Sequence, residues 1–88
     1  MKQQLLLTTK IWKSGKRYVA YNPELEVASQ GKTKAQAELR LKEAVVLFLE
    51  TAKKVGTLPE VLRDAGFVLK NKRVQWPNVS FATLEVSV

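Results

Sequence analysis

Tyr18-Val19-Ala20-Tyr21-Asn22-Pro23-Glu24-Leu25-Glu26-Val27-Ala28-Ser29-Gln30-Gly31-Lys32-Thr33 is the stretch on which the reading of this chain turns. Its first four residues are aromatic, β-branched or small, which suits a pleated, half-buried strand. Asn22-Pro23 interrupts that strand, because proline has no N–H to give to a ladder. Leu25, Val27 and Ser29 then alternate with Glu26, Ala28 and Gln30, which predicts a shorter strand. Gly31 permits a tight turn, and Thr33 with Gln36 three residues on has the spacing of a capping box. Two strands joined through Pro23 and followed at once by a capped helix predict an α+β domain.

Working back from Tyr18, Ser14-Gly15-Lys16 is a turn signal, and Arg17 to Tyr21 returns from it as one arm of a hairpin. The other arm is expected over residues 4–13. Leu5, Leu7, Thr9 and Ile11 share one face, and Leu6 and Trp12 lie on the other.

Working forward, a helical period runs from Thr33 to about Lys54. Ala37, Leu41, Ala44, Val45, Phe48, Ala52 and Val55 form one apolar stripe, and Gly56 ends the helix as a C′ residue would. Leu39 and Val46 point away from the stripe, with Leu49 at the edge of their patch. They are candidates for a contact between copies, or for cover by the C-terminal segment. Thr57-Leu58-Pro59-Glu60 is a second capping pattern, with proline in the first turn, and opens a short second helix that should stop at Gly66. Phe67-Val68-Leu69 and Arg73 to Trp76 read as a second hairpin around Lys70 to Lys72. Pro77 breaks that run, and Val79 to Val88 reads as a last strand. Leu84, Val86 and Val88 alternate there, with a bulge separating them from Val79 and Phe81. The whole, residues 1–88, is expected to be one domain: a two-layer β-β-β-α core over about 3–56, then a short helix and strands over 57–88.

Composition limits the chemistry. There is no cysteine and no histidine, so disulfides, thiolate nucleophiles, sulfur-built zinc sites and imidazole bases are all excluded. Serines 14, 29, 80 and 87 therefore have no histidine to activate them. Glu24 and Glu26 share the start of a strand, but no acidic set converges as two-metal chemistry requires. The expectation is a protein without cofactor or metal that is not an enzyme. Residues 1–7 are too short for a signal peptide, and no stretch approaches the roughly 20 apolar residues of a membrane span. The expected compartment is the cytoplasm.

Fifteen basic residues against eight acidic ones leave a net charge of +7, which favours anionic partners. Lys10, Trp12, Lys13 and Arg17 gather on the first hairpin, and Lys70, Lys72, Arg73 and Trp76 on the second. Cations neutralise phosphates while aromatics stack on bases. These eight residues are candidates for contact with nucleic acid or another partner. The competing reading makes the tryptophans core anchors and the lysines guards of strand edges.

The stretch from Tyr18 to Val45 resembles the HicB family of antitoxins. The resemblance rests on Tyr18-x-Ala20 running into Pro23-Glu24-Leu25, the small-residue strand Val27-Ala28-Ser29, Gly31-x-Thr33, and a helix carrying Ala37, Leu41 and Ala44. It implies a partial, degenerate ribonuclease-H-like fold and homo-oligomers. It also implies a protein that neutralises a small RNA-cleaving toxin, HicA, by covering its active surface. The residues that carry it are structural, and no catalytic role comes with them. The chain departs from the family in three respects. Many members of that family carry a C-terminal helix-turn-helix or ribbon-helix-helix that binds operator DNA, but here too little follows Val55 for the first, and helix-then-strand is the wrong order for the second. The helix opens on Ala35-Gln36-Ala37 where the family often has acidic residues. A charge of +7 is unexpected for a protein that binds a basic toxin. Sequence alone thus expects a HicB-like antitoxin acting by protein–protein contact, with an orphan member of the family left open. A small basic nucleic-acid-binding module is the alternative. Leu39, Val46, Leu84 and Val86 are candidate contacts between copies.

Overall fold

The computed structural model describes residues 5–70, 73–75, 80 and 82–88. β1 (Lys10–Ser14), β2 (Arg17–Asn22) and β3 (Val27–Gly31) form an antiparallel sheet in the order β1-β2-β3. Helix α1 (Lys34–Val55) lies on one face of it, and α2 (Leu58–Asp64) follows. β4 (Val68–Lys70) and β5 (Arg73–Gln75) pair only with each other. The α+β class read from the sequence is the class observed.

Local chemistry explains each junction. Ser14 pairs with Arg17, leaving Gly15-Lys16 as a two-residue loop. Gly15 has φ 63 and Lys16 is not among the positive-φ residues, the arrangement of a type II′ turn with glycine at its first central position. Thr33 caps α1 by accepting from the Gln36 N–H at 3.0 Å, and the Gln36 side chain accepts from the Lys32 N–H at 2.6 Å. At the other end Gly56 is left-handed, with φ 82. Its N–H reaches the Lys53 carbonyl and that of Thr57 the Ala52 carbonyl, which is a Schellman closure.

Gly31 has a different role from the one the sequence suggests. Its φ is not among the positive values, so no special turn conformation requires it. Instead, a Cβ there would stand 2.7 Å from the Ala37 backbone nitrogen. Glycine at 31 and alanine at 37 let the first turn of α1 press onto the end of β3.

Ala20, Leu25, Ala37, Leu41 and Val45 form the core, with Leu7, Ile11, Tyr18, Val27, Leu49, Val61 and Ala65 packed around it. Leu62 and Phe67 are also buried. The largest completely buried side chain among the described residues is polar: Asn22, 1% exposed.

Several expectations are corrected. The first strand begins at Lys10, not near residue 4. Its last partner is Tyr21; beyond that β2 reaches Asn22-Pro23 and offers no further ladder. Leu25 leaves the third strand. The segment 23–26 is a turn with Glu26 at φ 57, and it drops Leu25 into the core. Phe48 and Val55 are exposed. A 22-residue helix spans about 33 Å and a five-residue strand about 17 Å, so α1 outruns its sheet. Thr57 makes no side-chain cap for α2, and Phe67 precedes β4 as a buried residue. Finally, residues 82–88 form no strand and are exposed, since no strand edge pairs with them. Val79 and Phe81, between which and Leu84 a bulge is expected, lie outside the described residues.

Candidate binding surfaces

The turn 23–26 is built around Asn22. Its Nδ2 donates to the Thr8 carbonyl at 2.7 Å and to Glu24 Oε1 at 2.9 Å, and its Oδ1 accepts from the Leu25 N–H at 2.8 Å. Glu24 Oε1 also accepts from the Thr8 N–H at 2.6 Å. One buried amide and one carboxylate thus tie the strand-less run 5–9 to the turn. Sequence reasoning placed Glu24 and Glu26 at the start of a strand, where the structure has the turn, and it missed Asn22 as that turn's anchor. The clue was an amide directly before proline, where its side chain can satisfy the local backbone.

Three surfaces result. The first is a notch of about 380 Å³ lined by Pro23, Glu24, Leu25, Glu26, Phe48 and Asp64, among others. Three acidic residues therefore line this notch together with the exposed Phe48, in a chain whose net charge is +7. Among the described residues no three His, Cys, Asp or Glu are gathered closely enough to hold a metal ion.

The second surface is the sheet face opposite α1. Pairing of Ile11 with Ala20 and of Ala20 with Ser29 puts these on the helix side. Alternation then sends Lys10, Trp12, Arg17, Val19 and Tyr21 to the other. Trp12 is 40% exposed, so it is no core anchor, and the Lys10 Nζ stands 5.5 Å from its ring centroid. Lys13 is paired with Tyr18 on the helix side, so the first basic cluster divides between faces. Arg73 is exposed on β5, and Lys70 closes β4 opposite it. Lys72 and Trp76 lie outside the described residues.

The third surface is an open groove of about 790 Å³ between α1 and the run 5–9. Leu5, Leu7, Leu39, Val46 and Leu49 supply its apolar walls, and Glu38, Lys42 and Glu50 stand among the lining residues. Leu39 is 58% exposed. The expected cover by residues 82–88 is absent: Leu84 and Val86 are themselves exposed. Of the residues that carry the family resemblance, Ala20, Leu25 and Ala37 lie in the core, Gly31 and Thr33 set the start of α1, and Ala44 is half-buried. No helix among the described residues is long and apolar enough to cross a membrane. No family model matches the chain, and neither a curated protein nor a solved structure matches it.

Proposed function

We propose that this chain is a binding protein without catalytic activity, an antitoxin of the HicB type that blocks a small basic RNA-cleaving partner. The β-β-β-α order of the first 55 residues supports the ribonuclease-H-like part of this reading. The observation that carries the functional part is the acidic notch. A chain with net charge +7 would repel a basic partner on the whole, yet Glu24, Glu26 and Asp64 give it one locally acidic opening beside Phe48. An aromatic ring flanked by charges of the opposite sign to the partner is a suitable anchor, because the ring supplies buried area and the charges supply orientation.

The test takes as its probe a small basic RNA-cleaving toxin of the HicA type. Equimolar addition of the chain should stop RNA cleavage. Glu26→Lys with Asp64→Lys, two exposed positions, should raise the inhibition constant about 10-fold to 100-fold. Inhibition unchanged by the double variant would remove the notch from the reading, and absence of inhibition would remove the antitoxin.

A second reading has its own observation, the Lys10–Trp12 pair on the open sheet face. A cation over an exposed indole on a bare sheet suits single-stranded nucleic acid, with Arg17 and Tyr21 beside it. Fluorescence titration with a single-stranded oligonucleotide checks it. Trp12→Ala should weaken binding about 10-fold or more if a base stacks there.

A further inference from the structure

We infer that α1 carries a second docking site, a coiled-coil seam that takes one basic amphipathic helix of a partner protein into the angle between α1 and the run 5–9. The site lies apart from the notch and does not rest on the antitoxin reading. The helix layer of this domain is only partly filled. On the helix-facing side of the sheet, Ala20 and Asn22 of β2 and Gly31 of β3 are buried, whereas β1 offers a half-buried Ile11 and an exposed Lys13. α1 therefore covers β2 and β3 and leaves the β1 side open. The open space is the groove of about 790 Å³, walled by Leu5 and Leu7 on one side and by α1 on the other. Two strand spacings, about 10 Å, separate β1 from β3, and packed helix axes lie about 8–10 Å apart. A second helix beside α1 would therefore sit over β1 and complete the layer.

The surface that α1 turns to this space has its own pattern. Ala35, Leu39, Lys42, Val46 and Leu49 all line the groove, and they follow one another at spacings of four, three, four and three residues. That is the a/d alternation of a coiled coil. The main stripe of Ala37, Leu41, Val45 and Ala52 is already buried. The seam is a second stripe, with Leu39 58% and Val46 44% exposed. From Ala35 to Leu49 it runs two heptads, about 21 Å. Its spacing selects a helix over a strand as occupant, because helical knobs fit holes set at that interval.

Charge chooses the partner. Glu38, Glu43 and Glu50 are exposed at the positions that flank the seam, where a coiled coil places its interhelical ion pairs. Glu38 and Glu50 line the groove itself. Lys42 is the one cation of the seam between Ala35 and Leu49, and it calls for a single carboxylate opposite. The partner helix is thus apolar at a and d, basic at e and g, and carries one acidic core residue. A second copy of α1 does not meet these terms. Packed parallel, it would set Lys42 against Lys42 and Glu38 against Glu43; packed antiparallel about the middle of the seam, it would again set Lys42 against Lys42. Residues 82–88 hold no basic side chain to answer the glutamates.

The test compares two synthetic peptides of three heptads by fluorescence anisotropy. One has leucine at a and d, lysine at every e and g, and one glutamate at the central core position. The other has the charges reversed. The net charge of +7 attracts the acidic peptide and repels the basic one, so long-range electrostatics alone give the opposite order from the seam. The lysine peptide is expected to bind about 10-fold more tightly than its reverse, or better. Leu39→Glu with Val46→Glu, two exposed positions, should weaken it about 30-fold or more. The order of the two peptides on the unaltered chain decides even if that variant fails to fold. Glu26→Gln with Asp64→Asn, in the notch, should leave peptide affinity within about twofold, so failure of the notch and failure of the seam are read separately. The inference is overturned if the lysine peptide does not bind at about 100 µM, if the acidic peptide binds as well, or if the seam variant keeps its affinity. It is also overturned if the notch variant loses as much as the seam variant, or if the chain is a dimer of twice 9.9 kDa that the seam variant splits.

Discussion

Asn22 concentrates more structural work than any other side chain described here. Its amide holds the Thr8 carbonyl, the Glu24 carboxylate and the Leu25 N–H together. Because it is buried, removing it leaves those groups without water to replace it. Asn22→Ala should therefore cost about 2–4 kcal/mol, read as a lower urea midpoint with an unchanged slope. The network also positions two of the three surfaces. It draws the run 5–9 to the wall of the groove, and it shapes the turn that carries Glu24 and Glu26 to the notch.

Among the elements, α1 shows how capping chemistry and packing divide the task. Thr33 accepts a hydrogen bond from Gln36, so Thr33→Ala should lose about 0.5–2 kcal/mol. Thr57 stands at the same place before α2 but gives that helix no side-chain cap; its hydroxyl donates instead to the Ala52 carbonyl at the end of α1, at a long 3.5 Å. Thr57→Ala should change stability by less than about 0.5 kcal/mol. Paired thermal denaturation curves of the two variants check the contrast. The half of α1 that outruns the sheet is left with an uneven burial. Val45 and Ala52 face the core, while Phe48 and Val55 reach solvent. Phe48 thereby becomes available to the notch.

For the whole molecule, the charge of +7 separates the readings through salt. Association of two like-charged copies should tighten as salt rises from 50 to about 500 mM, because screening removes their repulsion. Nucleic-acid binding by the Lys10–Trp12 face should weaken over the same range, since phosphate contacts release counterions. Sedimentation equilibrium measures the first and oligonucleotide titration the second.

The α+β class, the first hairpin, the long helix with its two caps and the short second helix were all legible in the residues. Each depends on local chemistry: a glycine with positive φ at 15, a threonine oxygen at 33, the period of an apolar stripe. What lay beyond local reading came from relations between distant segments. The notch joins a turn near residue 24 to helix positions 48 and 64, and the groove joins residues 5–7 to 39–49. Strand length was decided by where the partner strand runs out, and the reach of α1 beyond its sheet by the mismatch of two rises per residue. The strand expected over 79–88 is not formed by residues 82–88: the apolar alternation is present in the sequence, but pattern alone supplies no partner. A strand's backbone needs a neighbour for its hydrogen bonds, and among the described residues the fold of the single chain provides none.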